Sequence, residues 1–155
     1  GRVRWVAGTA SRSAGSADAR VLWATGAGSG MGGAAAVAAA PGRRVALSGR
    51  RPEPLAETAA LVGAAGGQAL VLPLDARDET AVAEAAGTIR EAFGGVDDLV
   101  LSAGLNTPRR TWADQSMTEL EAVIATNLTA VARVVDAVLP DPAPSSPVEH
   151  PSSQT

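Results

Sequence analysis

The chain has 155 residues, of which 46% are hydrophobic and 19% charged, with a formal net charge of −3. That suits one soluble domain with a core and is too apolar for a disordered chain. No run reaches the ~20 apolar residues that span a bilayer, no basic excess marks a nucleic-acid face, and the lack of cysteine excludes disulfides and thiolate metal sites. All 13 basic residues are arginine, Tyr is absent and the one histidine is His150. Mechanisms that need a lysine amine, a phenol or an imidazole therefore have almost no candidates. The lack of cysteine fits a reducing compartment, and a cytoplasmic location is expected.

Residues 1–19 are small, polar and aperiodic, with Arg2, Arg4 and Arg12 among scattered serines. A transit peptide is one reading, and a flexible N-terminal leader is the preferred one. From Arg20 an alternation begins. Val21 to Thr25 reads as a buried strand running into glycines. Gly30 to Ala40 is helix-compatible and stops at Pro41-Gly42. Arg44 to Ser48 is a second strand. Pro52 opens a helix with a Leu55, Ala59, Val62 stripe that ends at Gly66-Gly67. Ala69 to Leu74 is a third strand. Asp78 caps a helix with the stripe Val82, Ala85, Ile89 and Phe93, which ends at Gly94-Gly95. Asp98 to Ser102 is a fourth strand, with Asp97-Asp98 at a solvated edge. A last helix covers Met117 to Leu139 and presents Leu120, Ile124, Leu128, Val131, Val135 and Val138 as one buried face. The Pro- and Ser-rich residues 140–155 read as a disordered tail that contains His150.

Strands alternating with helices of this length imply an α/β fold: a Rossmann-like doubly wound parallel sheet, incomplete at about four strands, with right-handed crossovers and the order 3-2-1-4. The domain is expected over residues 20–139.

The first strand runs straight into Gly26-Ala27-Gly28-Ser29-Gly30-Met31-Gly32-Gly33. A glycine turn between a strand and a helix N-terminus suits a diphosphate. Bare backbone permits close approach, and the helix aims free N–H groups and its positive dipole end at the negative charge. Two spacings fit: Gly28, Gly30, Gly33, and Gly26, Gly30, Gly32 with Thr25 in front. The first glycine of such turns lies at the strand's end, which favours the second. No Lys follows, so this is not a Walker A loop.

These residues resemble the short-chain dehydrogenase/reductase family over about residues 20 to 140. Thr25 to Gly32, including Gly26, Ser29, Gly30, Met31 and Gly32, looks like the family's cofactor turn. Asp75, followed by Ala76, matches the Asp that contacts the adenine amino group. Ser102-Ala103-Gly104 looks like the end of an N-N-A-G motif, with Leu101 and Ser102 in place of its asparagines. Asn127, read as facing the core between Val123 and Val131, matches the Asn that supports the catalytic proton relay. The resemblance implies hydride transfer between a nicotinamide dinucleotide and a small-molecule carbonyl or alcohol. It also implies a catalytic Ser strand and a Tyr-x-x-x-Lys helix downstream, where the Lys lowers the Tyr pKa. The 155 residues contain neither Tyr nor Lys.

An acid about 20 residues beyond the turn would bind the hydroxyls of NAD. Arg50 and Arg51 stand there instead, and an Arg there can pair with the 2′-phosphate of NADP. NADP is therefore expected, with NAD as the alternative. Asp75, Asp78 and Glu79 make a weak metal reading beside the capping role of Asp78. Arg109 and Arg110 fall in the loop on the ligand side of the sheet. The leading reading is the cofactor-binding part of such an oxidoreductase, inactive by itself. The rivals are a dinucleotide-sensing or interaction module, and a frameshift near Leu139. No nucleic-acid or membrane partner is expected, and a homo-oligomer is left open.

Overall fold

The computed structural model describes residues 4–6, 19–107 and 111–139. Its elements in chain order are β1 (Arg4–Val6), β2 (Val21–Thr25), α1 (Gly30–Ala39), β3 (Arg44–Gly49), α2 (Pro52–Ala64), β4 (Gln68–Pro73), α3 (Glu79–Phe93), β5 (Asp98–Leu101), α4 (Met117–Ile124), a π-helical turn (Ala125–Thr129) and α5 (Ala130–Val138). The sheet order is β1-β4-β3-β2-β5. β4, β3, β2 and β5 are parallel neighbours, which is the expected 3-2-1-4 arrangement. β2 lies inside the sheet, flanked by β3 and β5, so the glycine turn that leaves it opens on the sheet's carboxyl edge between those two strands.

The alternation of side chains along parallel strands builds two apolar layers. Leu22, Ala24, Val45, Leu47, Ala69 and Val71 face α1 and α2, meeting Ala36, Leu55, Ala59 and Val62. Trp23, Ala46, Leu70 and Leu72 face the other way, meeting Val82, Ala85, Ile89 and Phe93 of α3 and Val134 of α5. The buried residues of α1 are Gly32, Gly33 and Ala36, so its small side chains let it press close to the sheet. Asp78 caps α3 by accepting from the Ala81 N–H at 3.1 Å, and Gly94 ends that helix at φ 94°. Among the described residues no helix is long and apolar enough to cross a membrane.

Three features depart from the sequence reading. Within the expected leader, Arg4–Val6 forms a strand antiparallel to β4, with Arg4 opposite Val71 and Val6 opposite Ala69. Trp and Val favour strands, and the outer edge of β4 supplies unpaired backbone groups to pair with. The rest of residues 1–18, the loop arginines Arg109 and Arg110, and the Pro-rich tail with His150 lie outside the described residues.

The last helix is the second departure. Its buried residues are Ala130 and Val134, while Ile124 and Leu128 of the expected buried face are exposed. The π-helical turn at Ala125–Thr129 inserts a wider, i→i+5 turn. It therefore breaks the phase of a stripe counted at 3.6 residues per turn. Third, Asp97 is exposed as expected, but Asp98 is more than a solvated edge. Its carboxylate bridges Arg20 at 2.9 Å and Arg43 at 2.6 Å, and Asp97 accepts from the Val21 N–H at 2.6 Å. The parallel register of β2, β3 and β5 gathers these strand starts at the end of the sheet remote from the glycine turn.

Candidate functional site

The glycine turn is fixed by backbone, and its geometry separates the two possible spacings. Gly26 has φ +62°, and a Cβ there would lie 2.7 Å from the Ser102 carbonyl and the Ala103 nitrogen. Gly30 has φ +59° with nothing within 4 Å of a Cβ, so its bare backbone faces open space. A Cβ on Gly32 would meet the Gly26 carbonyl oxygen at 2.6 Å. Gly28 has ordinary φ and a looser 3.2 Å contact to Pro54. The positive φ values at Gly26 and Gly30 are those that side chains resist. The set Gly26, Gly30, Gly32 therefore carries the turn.

Neighbouring strands hold this turn in place. The Ala27 N–H donates to the Ser48 carbonyl at 3.1 Å. Thr25 Oγ1, itself buried, accepts from the Ala103 N–H at 3.3 Å, and the Thr58 hydroxyl donates to the Ala27 carbonyl at 2.9 Å. α1 then starts at Gly30. The first turn of any helix leaves its N–H groups without intrahelical acceptors. α2, α3 and α4 each carry an acid in that turn (Glu53, Glu79 and Glu119), whereas α1 carries none. Its positive end is uncompensated and opens toward the cleft.

That cleft encloses about 340 Å³ along the carboxyl edge of the sheet. Gly26, Ser29, Gly30, Met31, Arg50, Arg51, Asp75, Ala76, Ser102, Ala103 and Gly104, all singled out from the sequence, line it. Gly32 is not in the wall but buried beneath it against Gly26. Arg50 and Arg51 are exposed, and neither pairs with a carboxylate among the described residues. The cleft also includes Arg77 and Leu105, two residues that motif spacing does not identify. For Arg77 a signal existed: a cation two residues beyond Asp75 in one short loop.

Asp75 and Arg77 form a forked ion pair. The Arg77 Nε donates to both carboxylate oxygens at 3.1 Å and its Nη2 to Oδ2 at 2.6 Å. The Arg77 hydrogen bond, opposed by partial burial and aided by the charges of Arg77 and Arg50, holds the Asp75 carboxyl below the ordinary carboxylate range.

Asn127 sits in the π-helical turn and is exposed, not buried. Its side-chain amide closes a two-bond ring on one residue. Oδ1 accepts from the Leu105 N–H at 2.7 Å, and Nδ2 donates to the Leu105 carbonyl at 2.9 Å. The widened turn brings this amide to the loop after β5, and so it fixes that wall of the cleft. π-turns of this kind recur at functional sites. No cluster of residues able to hold a metal ion occurs among the described residues.

The profile of the short chain dehydrogenase family matches residues 20–145. The chain belongs to that family. Sulfoacetaldehyde reductase 2 of Chromohalobacter salexigens is 36% identical over 121 residues, which are 77% of this chain and 48% of that protein. Among solved structures, a metagenomic short-chain oxidoreductase in complex with NADP is 32% identical, with a TM-score of 0.71 over 79% of this chain and 56% of that one. NAD+-bound xylitol dehydrogenase is 29% identical, with a TM-score of 0.73 over 77% and 46%. This short-chain dehydrogenase chain thus spans about half the length of the relatives it matches.

Proposed function

We propose that the cleft binds a nicotinamide dinucleotide, preferring NADP to NAD, as part of an oxidoreductase that interconverts a small carbonyl compound and its alcohol. The observation that carries this reading is the turn at Gly26, Gly30 and Gly32. There a Cβ would collide at two positions, and the third opens toward a helix end with no acid in its first turn. A pyrophosphate fits such bare, donor-rich backbone. The solved relatives with NADP and with NAD+ support the dinucleotide class without choosing between its members.

The preference for NADP rests on Arg50 and Arg51. They stand after β3, where an acid would otherwise take the ribose hydroxyls. A guanidinium without a carboxylate partner is free to make charge-assisted bonds to a 2′-phosphate.

When bound, the dinucleotide would donate hydride to the carbonyl in its reduced form and accept hydride from the alcohol in its oxidised form. The chain's own residues bind and orient it. The turn and the α1 N-terminus hold the diphosphate, and Ser102 to Gly104 form the wall beyond β5. Asn127 positions that wall through Leu105. A proton must also move to or from the carbonyl oxygen, and the 155 residues offer no Tyr or Lys for it. The chain alone is therefore expected to bind the cofactor without turning over carbonyl substrates.

Titration calorimetry with NADPH and NADH tests this. NADPH should bind about tenfold more tightly than NADH, a ratio expected from charge-assisted bonds. Arg50→Ala should remove most of the difference. No heat from either dinucleotide at millimolar concentration would overturn the binding claim. Equal affinities in the unaltered chain would overturn the NADP preference alone.

A further inference from the structure

The outer end of the cleft holds a carboxylate whose acceptor capacity is nearly used. The Asp75 oxygens receive the Arg77 backbone N–H at 3.0 Å, the shared Nε–H at 3.1 Å and the Nη2–H at 2.6 Å. That is three hydrogens on a group with about four acceptor sites. About one site remains, and Asp75 lines the cleft.

The loop carrying this pair is itself fixed. The Leu74 N–H donates to the Gly49 carbonyl at 2.9 Å and the Asp78 N–H to the Asp75 carbonyl at 2.9 Å. From α5, Arg133 Nη1 donates to the Arg77 carbonyl at 2.7 Å. The loop is therefore tied to β3 at its start and to α5 at Arg77, and it is closed on itself by the Asp78–Asp75 bond.

The family resemblance implies that this last acceptor site meets the adenine amino group, and the placement of Asp75 on the sheet agrees. In this architecture the diphosphate lies at the turn after β2, and the adenosine ribose lies at the end of the next strand, β3. β4 is one strand further out, and Asp75 follows it. A dinucleotide running outward along the carboxyl edge thus places its purine base beside Asp75. The neutral N–H donor of that base is the 6-amino group of adenine.

Resting on the dinucleotide reading above, we propose that Arg77 is a positioning residue for base selection. It holds the Asp75 carboxylate in one orientation and leaves a single acceptor site for the adenine 6-amino group. Arg77 lies in the exposed class and its ion pair is at the surface, where such pairs add little to stability. Its removal should therefore change selectivity without unfolding the chain.

The test compares NADPH with reduced nicotinamide hypoxanthine dinucleotide phosphate, which carries a 6-oxo group in place of the 6-amino group. The unaltered chain should bind the adenine form about tenfold more tightly, the range of a hydrogen bond to a charged acceptor. Arg77→Ala should bring the two within about twofold by weakening the adenine form. Arg77→Lys, which restores a cation but not the fork, should recover part of the preference. Asp75→Asn should also lose it, and adding Arg77→Ala to Asp75→Asn should change nothing more. A full adenine preference in Arg77→Ala, or none in the unaltered chain, would overturn the proposal while leaving dinucleotide binding intact. If neither dinucleotide binds the unaltered chain, the cofactor reading falls first and this one with it.

Discussion

Along β3 the residues Val45 to Ser48 are all buried, whereas every residue of β5 is only partly covered. The helices repeat the contrast. α2 buries Leu55, Thr58, Ala59, Val62 and Gly63, while α4 buries none of its residues. The cleft lies across this divide. Its glycine-turn, Arg50 and Asp75 walls grow from the well-packed side, and its Ser102–Leu105 wall from the thinly packed one. Apolar burial holds the first side, and hydrogen bonds from Thr25 and Asn127 hold the second. Location within the site should therefore predict how a substitution fails.

Gly26→Ala should do the most damage, because it places a side chain at φ +62° and 2.7 Å from the β5 loop. A loss of about 3 kcal/mol in stability is expected, along with loss of NADPH binding, as read by denaturant titration and calorimetry. Next comes a direct comparison of the two sides. Leu47→Ala, at a fully buried position of β3, should cost about 3 kcal/mol, and Leu99→Ala, in β5, about 1 kcal/mol. Equal costs would show that the thin side is better covered in solution than its packing implies. Asn127→Ala removes both bonds to Leu105 and should cost about 1–2 kcal/mol, with amide exchange rising at Leu105 but not at Ala27. Leu128→Ser should be smallest, within about 0.5 kcal/mol, because that side chain is exposed. A loss above about 2 kcal/mol there would mean that something covers this face in solution.

The well-packed side was also the legible one. Runs such as Val21 to Thr25, the Pro52 start and the Gly94 stop are local signals, and each strand's partners follow from crossover handedness. The gathering of these residues in one cleft is legible because the glycines, Arg50 and Asp75 fall at strand ends that the topology must align. Legibility failed where one residue's partner depends on an irregular backbone. The π-helical turn has no composition signature in Ala125–Thr129, so neither the phase of the last helix nor the exposure of Asn127 is legible in the residues. Arg77 is not legible because its contact is with another side chain, Asp75, and a spacing motif records only residues that touch a ligand. The strand at Arg4–Val6 was missed because three residues are too few for a period to appear.

Trp23 has no exposed surface, yet its indole N–H donates to the Ser48 hydroxyl at 3.0 Å. Ser48 belongs to the cleft wall. This fully buried indole is therefore hydrogen-bonded to the cleft wall, and its emission should report occupancy of the cleft. Trp112 is 77% exposed, so acrylamide should quench it while sparing the interior indole. The binding experiments proposed above can then be followed without attaching a dye.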